Sequence, residues 1–99
     1  MDSFEFADQD AAKVTKKVTR LIRTGPMKSI VKFIHKTDQI EVVFSQFGTS
    51  KIFYDVEAAG EGFKAKKSKE KVMFTHKAFR KEVEKYLSDI LKRIGAKFT

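Results

Sequence analysis

The chain has no cysteine among its 99 residues, and this absence excludes several kinds of site. Without cysteine there is no disulfide, no thiolate nucleophile and no cysteine-based zinc site. Long apolar runs are also missing, since Ile40–Phe44 is interrupted by Glu41, and no stretch could span a membrane. The first ten residues hold four acids and no base, which does not fit a secretory signal peptide. We therefore expect an intracellular, cytoplasmic protein, with a nuclear location as the alternative.

The length of the chain predicts one domain over residues 1–99. A domain of this size buries roughly 65% of its unfolded surface, which is enough for one core. Glycine- or proline-rich linkers and internal repeats are absent from the sequence. We expect residues 1–7 to form a flexible or docking arm, with Phe4 and Phe6 as its anchors.

The longest regular pattern is a helical stripe near the C-terminus, between Val72 and Gly95. Its apolar residues recur with a helical period over more than four turns. Thr75 is placed to cap the helix, Phe74 and Phe79 have the spacing of a hydrophobic staple, and Gly95 is placed to end it. The stripe consists of Phe79, Val83, Tyr86, Leu87, Ile90, Leu91 and Ile94.

A shorter helix is predicted near the N-terminus. Asp8 or Asp10 can cap it, and the run Thr24–Pro26 stops it, because proline disfavours the helical region in the residue before it. Its apolar stripe consists of Ala11, Val14, Val18, Leu21 and Ile22, opposite a face of cations without acids.

Between the helices the period of the pattern changes to two. Residues 30–35, 40–45 and 52–57 alternate as three antiparallel strands, and Lys71–Phe74 is predicted as a short fourth strand. The fold class is therefore α+β, in the order α-β-β-β-β-α, with an antiparallel sheet packed by an N-terminal and a long C-terminal helix.

One face of the predicted sheet must take the helices. For that face the alternation favours Ile30, Ile34, Ile40, Val42, Phe44, Ile52, Tyr54 and Val56. The opposite face then carries Val31, Phe33, Val43, Phe53 and Met73. This is more apolar area than a monomer usually exposes. Either a helix covers each face, or the face with Phe33 and Phe53 binds a protein partner or a second copy of the chain.

Catalytic and metal-binding patterns are missing from the sequence. The two histidines, His35 and His76, lie far apart with no cysteine between them. The pair Gly60 and Gly62 is not followed by the Lys-Ser/Thr of a phosphate loop, and no nucleophile elbow occurs. We predict that the protein is not an enzyme and has no catalytic residue, cofactor or metal.

The net charge of +8 is unevenly distributed. Residues 11–36 hold eight bases and no acid, and residues 64–99 hold twelve bases and four acids. An excess of this size is typical of proteins with a polyanionic partner, although mixed charge for solubility is the simpler alternative.

The strongest functional signal is a run of five lysines within residues 64–71, interpreted as a loop ahead of the long helix. A helix N-terminus favours phosphate, and a phosphate backbone rewards positive charge by releasing counterions. The alternative is an ordinary solvated loop. Further cations form a column on the long helix and a group on the first helix. The candidate nucleic-acid-binding residues are Lys64, Lys66, Lys67, Lys69, Lys71, Lys77, Lys81, Lys85, Lys13, Lys16, Lys17 and Arg20.

The order of a helix, a sheet and a helix, with Gly60–Lys71 before the last helix, resembles double-stranded-RNA-binding domains. In those domains lysines at the start of the last helix grip phosphates. Pro26–Lys28 and the strand after it are similar to the small Alu-domain proteins of the signal recognition particle, which are α-β-β-β-α RNA binders. Each resemblance covers about a third of the chain or less and assigns no individual residue.

These patterns favour a small domain that binds RNA or DNA by its phosphates with little sequence specificity, because no arginine pair is placed to read base edges. The alternative is a non-enzymatic adaptor or inhibitor that binds an acidic protein partner. Binding to anionic lipid is a third hypothesis, ranked last because no apolar helix face is free to insert.

Overall fold

A computed structural model describes residues 1–98 as two helices packed on a six-stranded antiparallel sheet. The helices are α1 (Ala11–Arg23) and α2 (Lys77–Arg93), and the strands are β1 (Ser3–Phe6), β2 (Val31–Lys36), β3 (Gln39–Ser45), β4 (Thr49–Ala59), β5 (Gly62–Lys71) and β6 (Lys97–Phe98). Across the sheet the strand order is β2-β3-β4-β5-β1-β6. The predicted α+β class and the order α-β-β-β-β-α are confirmed, with one more strand at each end of the chain.

The segment expected to be a flexible or docking arm is in fact part of the sheet. Strand β1 pairs with β5 on one side and with β6 on the other. Phe4 and Phe6 are only 1% and 2% exposed, and both rings contact the ring of Phe63 on β5. The prediction of an arm was therefore wrong for these residues, because their two phenylalanines at a spacing of two are core positions of a short strand.

Helix α1 follows the predicted stripe. Its cap is Asp10, whose carboxylate accepts a hydrogen bond of 2.8 Å from the backbone N–H of Lys13. Its buried residues are Ala11, Val14, Val18 and Ile22.

Helix α2 keeps the predicted stripe but begins later than expected. Phe74–His76 forms a single 3₁₀ turn, and the α-helix starts at Lys77. His76, not Thr75, stands at the N-cap of α2, and no side chain caps the helix, so the predicted cap does not form. Phe74 is 82% exposed, so the predicted staple does not form either. The buried residues of α2 are Val83, Leu87, Ile90 and Leu91. No helix among residues 1–98 is long and apolar enough to cross a membrane.

The lysine-rich segment interpreted as a loop is strand β5. Phe63 and Ala65 are buried at 2% and 0% exposure, and their lysine neighbours point to the opposite face. A bulge opposite Phe53 and Tyr54 changes the register near the end of the strand. The prediction of a strand at Lys71–Phe74 was wrong, because β5 ends at Lys71, where that strand was expected to begin.

The predicted faces of β2 were reversed. Val31 lies opposite Phe44 and Phe33 opposite Val42, so both side chains point into the core, where they are 2% and 3% exposed. Ile34 lies on the other face, opposite Glu41. Apolar residues occupy both faces of this strand, so the alternation could not choose between them, and a shift of one residue reverses every side chain.

Both helices lie on the same face of the sheet. Their buried side chains form one core with inward-facing residues of β1 to β5. The opposite face, called here the outer face, is not covered by either helix. Strand alternation places on it Glu5, Lys32, Ile34, Lys36, Glu41, Val43, Lys51, Phe53, Asp55, Glu57, Lys64, Lys66, Lys69, Lys71 and Lys97.

Candidate functional site

The outer face is arranged in rows that run across the strands. The first row consists of Lys32 on β2, Val43 on β3, Lys51 on β4 and Lys71 on β5, each opposite the next. Because neighbouring strands lie about 4.8 Å apart, the three lysines share a band about 14 Å wide. The row contains no acid. Like charges directly opposite one another destabilise a sheet, so the repulsion between Lys51 and Lys71 opposes folding.

The second row places an apolar centre beside the first. Ile34, Glu41, Phe53 and Lys69 lie opposite one another in that order. The Lys69 Nζ lies over the Phe53 ring, 4.9 Å from its centroid, which is a cation–π contact. Phe53 is 7% exposed although it faces away from the core. Lys69 therefore adds a fourth cation next to the lysine row.

Glu41 is the acid of the second row, and its charge is already paired. The Lys36 Nζ lies 2.8 Å from its carboxylate, whose side chain is 7% exposed. The hydrogen bond from Lys36 lowers the pKa of Glu41, against the opposing effect of burial, and the charges of Lys51 and Lys69 lower it further. The carboxylate therefore stays ionised, and its own partner reduces its effect on the row.

The third and fourth rows have mixed charge. Lys66 lies opposite Asp55, and Lys64 lies between Glu57 and Glu5. These residues line a concavity of about 690 Å³ on the outer face. The two predicted site lysines in this region are flanked by carboxylates, which makes it a weaker site for a polyanion than the first two rows.

Lys67 does not belong to the outer face. Its Nζ lies 3.1 Å from Asp2 and 3.8 Å from Glu70, and its side chain is 24% exposed. The hydrogen bond from Lys67 and its charge lower the pKa of Asp2. Glu70 also contacts Arg80 of α2. The ion pairs tie β5 to α2 and the start of the chain, so Lys67 has a structural role.

The remaining predicted cations lie on the helix side of the molecule. Their side chains are exposed, and the sheet lies behind the helices. The structure therefore divides the predicted site between two opposite surfaces, and a single flat partner could not contact both. The helix-side group consists of Lys13, Lys16, Lys17 and Arg20 on α1 and Lys77, Lys81 and Lys85 on α2.

An exposed apolar tip lies at the end of the lysine row. It consists of Phe47 and Gly48 in the turn between β3 and β4, and of Met73 and Phe74 after β5. Phe47 is 101% exposed and Phe74 is 82% exposed. A Cβ on Gly48 would collide with the Met73 sulfur, so the two segments are in contact. No local pattern predicts this tip, because Phe74 has the spacing of a staple and Phe47 follows a strand.

A buried hydrogen-bonded pair anchors the same region. The Ser50 Oγ lies 2.6 Å from the His76 Nδ1, and the His76 Nε2 lies 2.7 Å from the carbonyl oxygen of Gln46. Because a carbonyl only accepts, Nε2–H donates to it, and in the neutral imidazole Nδ1 then accepts from the Ser50 hydroxyl. Ser50 also accepts from the backbone N–H of Met73 at 2.9 Å. Ser50 has 0% exposure, so this pair is structural and offers no accessible nucleophile.

Within residues 1–98, no group of three histidine, aspartate or glutamate side chains is placed to hold a metal ion. Comparisons of the chain with protein-family models, with curated proteins and with solved structures gave no match.

Proposed function

We propose that this protein binds nucleic acid through the first two rows of its outer face. Lys32, Lys51 and Lys71 would contact phosphates, with Lys69 beside them over the ring of Phe53. The observation that carries the proposal is the direct opposition of Lys51 and Lys71 on neighbouring strands. Such a pair costs stability, and a polyanion between the two ammonium groups would turn the repulsion into attraction.

The outer face is also open to a large ligand. Neither α1 nor α2 covers it, and its aliphatic residues Ile34 and Val43 are half-buried. A phosphate backbone needs only positive charge within reach, so little dependence on base sequence is expected.

Phe33 and Phe53 do not lie on one surface, so the homodimer or protein interface predicted through both residues does not form in that arrangement. Phe33 is in the core, and only Phe53 faces outwards, under Lys69. An acidic protein on the lysine row is instead an outcome of the test below.

The test compares two triple variants that remove equal charge from opposite surfaces. One changes Lys51, Lys69 and Lys71 to Gln on the outer face. The control changes Lys13, Lys16 and Lys17 to Gln on α1. Affinity is measured against salt concentration on a random duplex and on a random single strand. Each phosphate contact contributes about 0.7–0.9 to the slope of log K against log salt. We expect the outer-face variant to lose about two to three units and the α1 variant to lose little.

The result would contradict the proposal if both variants lost slope equally, since the effect would then reflect diffuse charge. A loss confined to the α1 variant would move the site to the helix side. Absence of any salt-dependent binding to nucleic acid by the unchanged protein would remove the function and favour the adaptor.

A further inference from the structure

The exposed tip has a conformation that folding alone does not explain. Phe47 has a φ of 56°, the left-handed region that bulky side chains rarely adopt. Its ring is 101% exposed, so burial does not compensate for the backbone strain. Asparagine or glycine would fit this turn position better than phenylalanine.

The tip is nevertheless held in place by the structure beneath it. The backbone N–H of Gln46 donates to the carbonyl of Gly48 at 2.9 Å, and the carbonyl of Gln46 accepts from the buried ring of His76. Met73 packs against Gly48, and its N–H is bonded to Ser50. The exposed rings of Phe47 and Phe74 thus flank a fixed contact between the turn and Met73.

Positive charge predominates in the two segments that form the tip. The two segments that form it, residues 42–54 and 71–81, contain no aspartate or glutamate. Lys51 and Lys71 stand at the adjoining end of the outer face, and the Lys77 Nζ lies 5.0 Å from the centroid of the Phe74 ring. A partner that fits this surface combines flat apolar groups with negative charge.

We infer that the tip stacks the bases of single-stranded nucleic acid whose phosphates follow the lysine row. This inference rests on the proposed function and names its substrate class. Unpaired bases present flat faces to aromatic rings, whereas bases within a duplex are stacked on each other and unavailable. A flexible single strand that passes over the tip would place neighbouring phosphates at Lys51 and Lys71 on the outer face and at Lys77, which lies beside the Phe74 ring at the start of α2. An apolar protein surface would lack the negative charge, and an acidic one would lack the flat faces.

The first experiment observes stacking directly. The chain contains no tryptophan, so Phe47→Trp introduces a single fluorophore at the tip. We expect oligothymidylate to quench its emission. An abasic strand of the same length has the same phosphates and should bind through the lysines with little quenching. Equal quenching by both strands would overturn the inference, because the effect would then not require bases.

The second experiment measures the contribution of the ring. Phe47→Asn removes the ring but suits the left-handed backbone, so the fold should be retained. Thr37→Asn is the matched control, since Thr37 also has a positive φ, of 41°, in the turn at the opposite end of β3. Losing one stacked base costs about 5- to 150-fold in affinity. We expect the Phe47→Asn variant to lose this affinity for single strands but not for duplexes. Its slope of log K against log salt should stay unchanged.

The outcomes separate this inference from the proposed function. If Phe47→Asn binds single strands as tightly as the unchanged protein, the stacking site is wrong while the phosphate site stands. If it weakens duplex and single strand equally, the ring does not select unpaired bases and the inference fails. If no nucleic acid binds at all, both fail, and a protein partner for the tip is favoured.

Discussion

Lys51 on β4 lies directly opposite Lys71 on β5, on the face of the sheet that no helix covers. Most of the outer face balances such contacts, as where Lys66 lies opposite Asp55 and Lys64 opposite Glu57. The Lys51 row itself contains no acid, Lys32 in the same row and Lys69 beside it add positive charge, and Glu41 of the neighbouring row is already paired with Lys36. This local excess of positive charge, beside the exposed tip, is the feature on which the proposed phosphate site rests.

The opposition of these two lysines predicts that removing one of them stabilises the free protein. Lys51→Gln should raise the free energy of unfolding by about 0.2–1 kcal/mol at most, because relief of the like-charge cross-strand pair is partly offset by the lost attraction between Lys51 and Glu41. The gain should shrink at high salt, which screens exposed charges. Urea denaturation at low and high salt measures it. Lys32→Gln, which removes a lysine opposite Val43, is the control and should gain less. A loss of stability at Lys51 would mean that its aliphatic stem matters more than its charge.

The two faces of the sheet predict different losses of stability when the Phe33 ring, in the core, and the Phe53 ring, on the outer face, are removed. Phe33→Ala should destabilise by about 3–5 kcal/mol, because it leaves a cavity between the sheet and the helices. Phe53→Ala should cost about 1.5–3 kcal/mol, the transfer term alone, since no second layer closes a cavity over it. Chemical denaturation of both variants tests this. A greater cost at Phe53 would show that the outer face is packed as a core.

The buried hydrogen bond between Ser50 and His76 predicts that removal of the Ser50 hydroxyl destabilises the protein. Ser50→Ala leaves the Met73 N–H and the His76 Nδ1 without their partner, which should destabilise by about 1–3 kcal/mol. Ser45→Ala is the control, since the Ser45 hydroxyl is exposed and meets only that of Thr49 at 3.1 Å. The free energy of unfolding of the control should change by no more than about 0.5 kcal/mol. If the two variants were equally stable, the pair would not anchor the tip.

The lowered pKa of Glu41 predicts how stability depends on pH. Because its folded pKa lies below the usual 4.5, its contribution is present above about pH 4.5 and is lost as the pH falls through the folded value. Lys36→Met removes the hydrogen bond that is the main cause of the shift, while burial still opposes ionisation. The pKa of Glu41 should then rise, and the loss of stability on acidification should begin at a higher pH.

A titration of the Glu41 carboxyl carbon by NMR measures this shift. Lys16→Met removes one charge from α1, on the other side of the molecule, and should leave the Glu41 pKa unchanged. A pKa that did not rise in the Lys36 variant would mean that Lys51 and Lys69 hold the carboxylate ionised without Lys36.

Several features of the fold follow from local patterns in the sequence. The stripes of α1 and α2 were predictable because a helix buries residues at a fixed period, whatever it packs against. The three central strands and the α+β class followed from alternation in the same way. Local patterns failed where they were ambiguous. Phe4 and Phe6 form a pattern of only two apolar residues, which is too short to predict a strand. On β5 the lysines of one face concealed the alternation of the buried residues Phe63 and Ala65.

The arrangement of the candidate site was decided by tertiary structure. The sequence established the positive charge and its clustering, and it placed the cations on their helices. The pairing register then brought Lys51 and Lys32, which lie outside the lysine run, into line with Lys71, and turned Lys67 inwards to Asp2. It also brought the turn at Phe47 to Met73. Register depends on hydrogen bonds between residues far apart in the chain, and a shift of one position reverses every side chain, so composition and local period could not determine it.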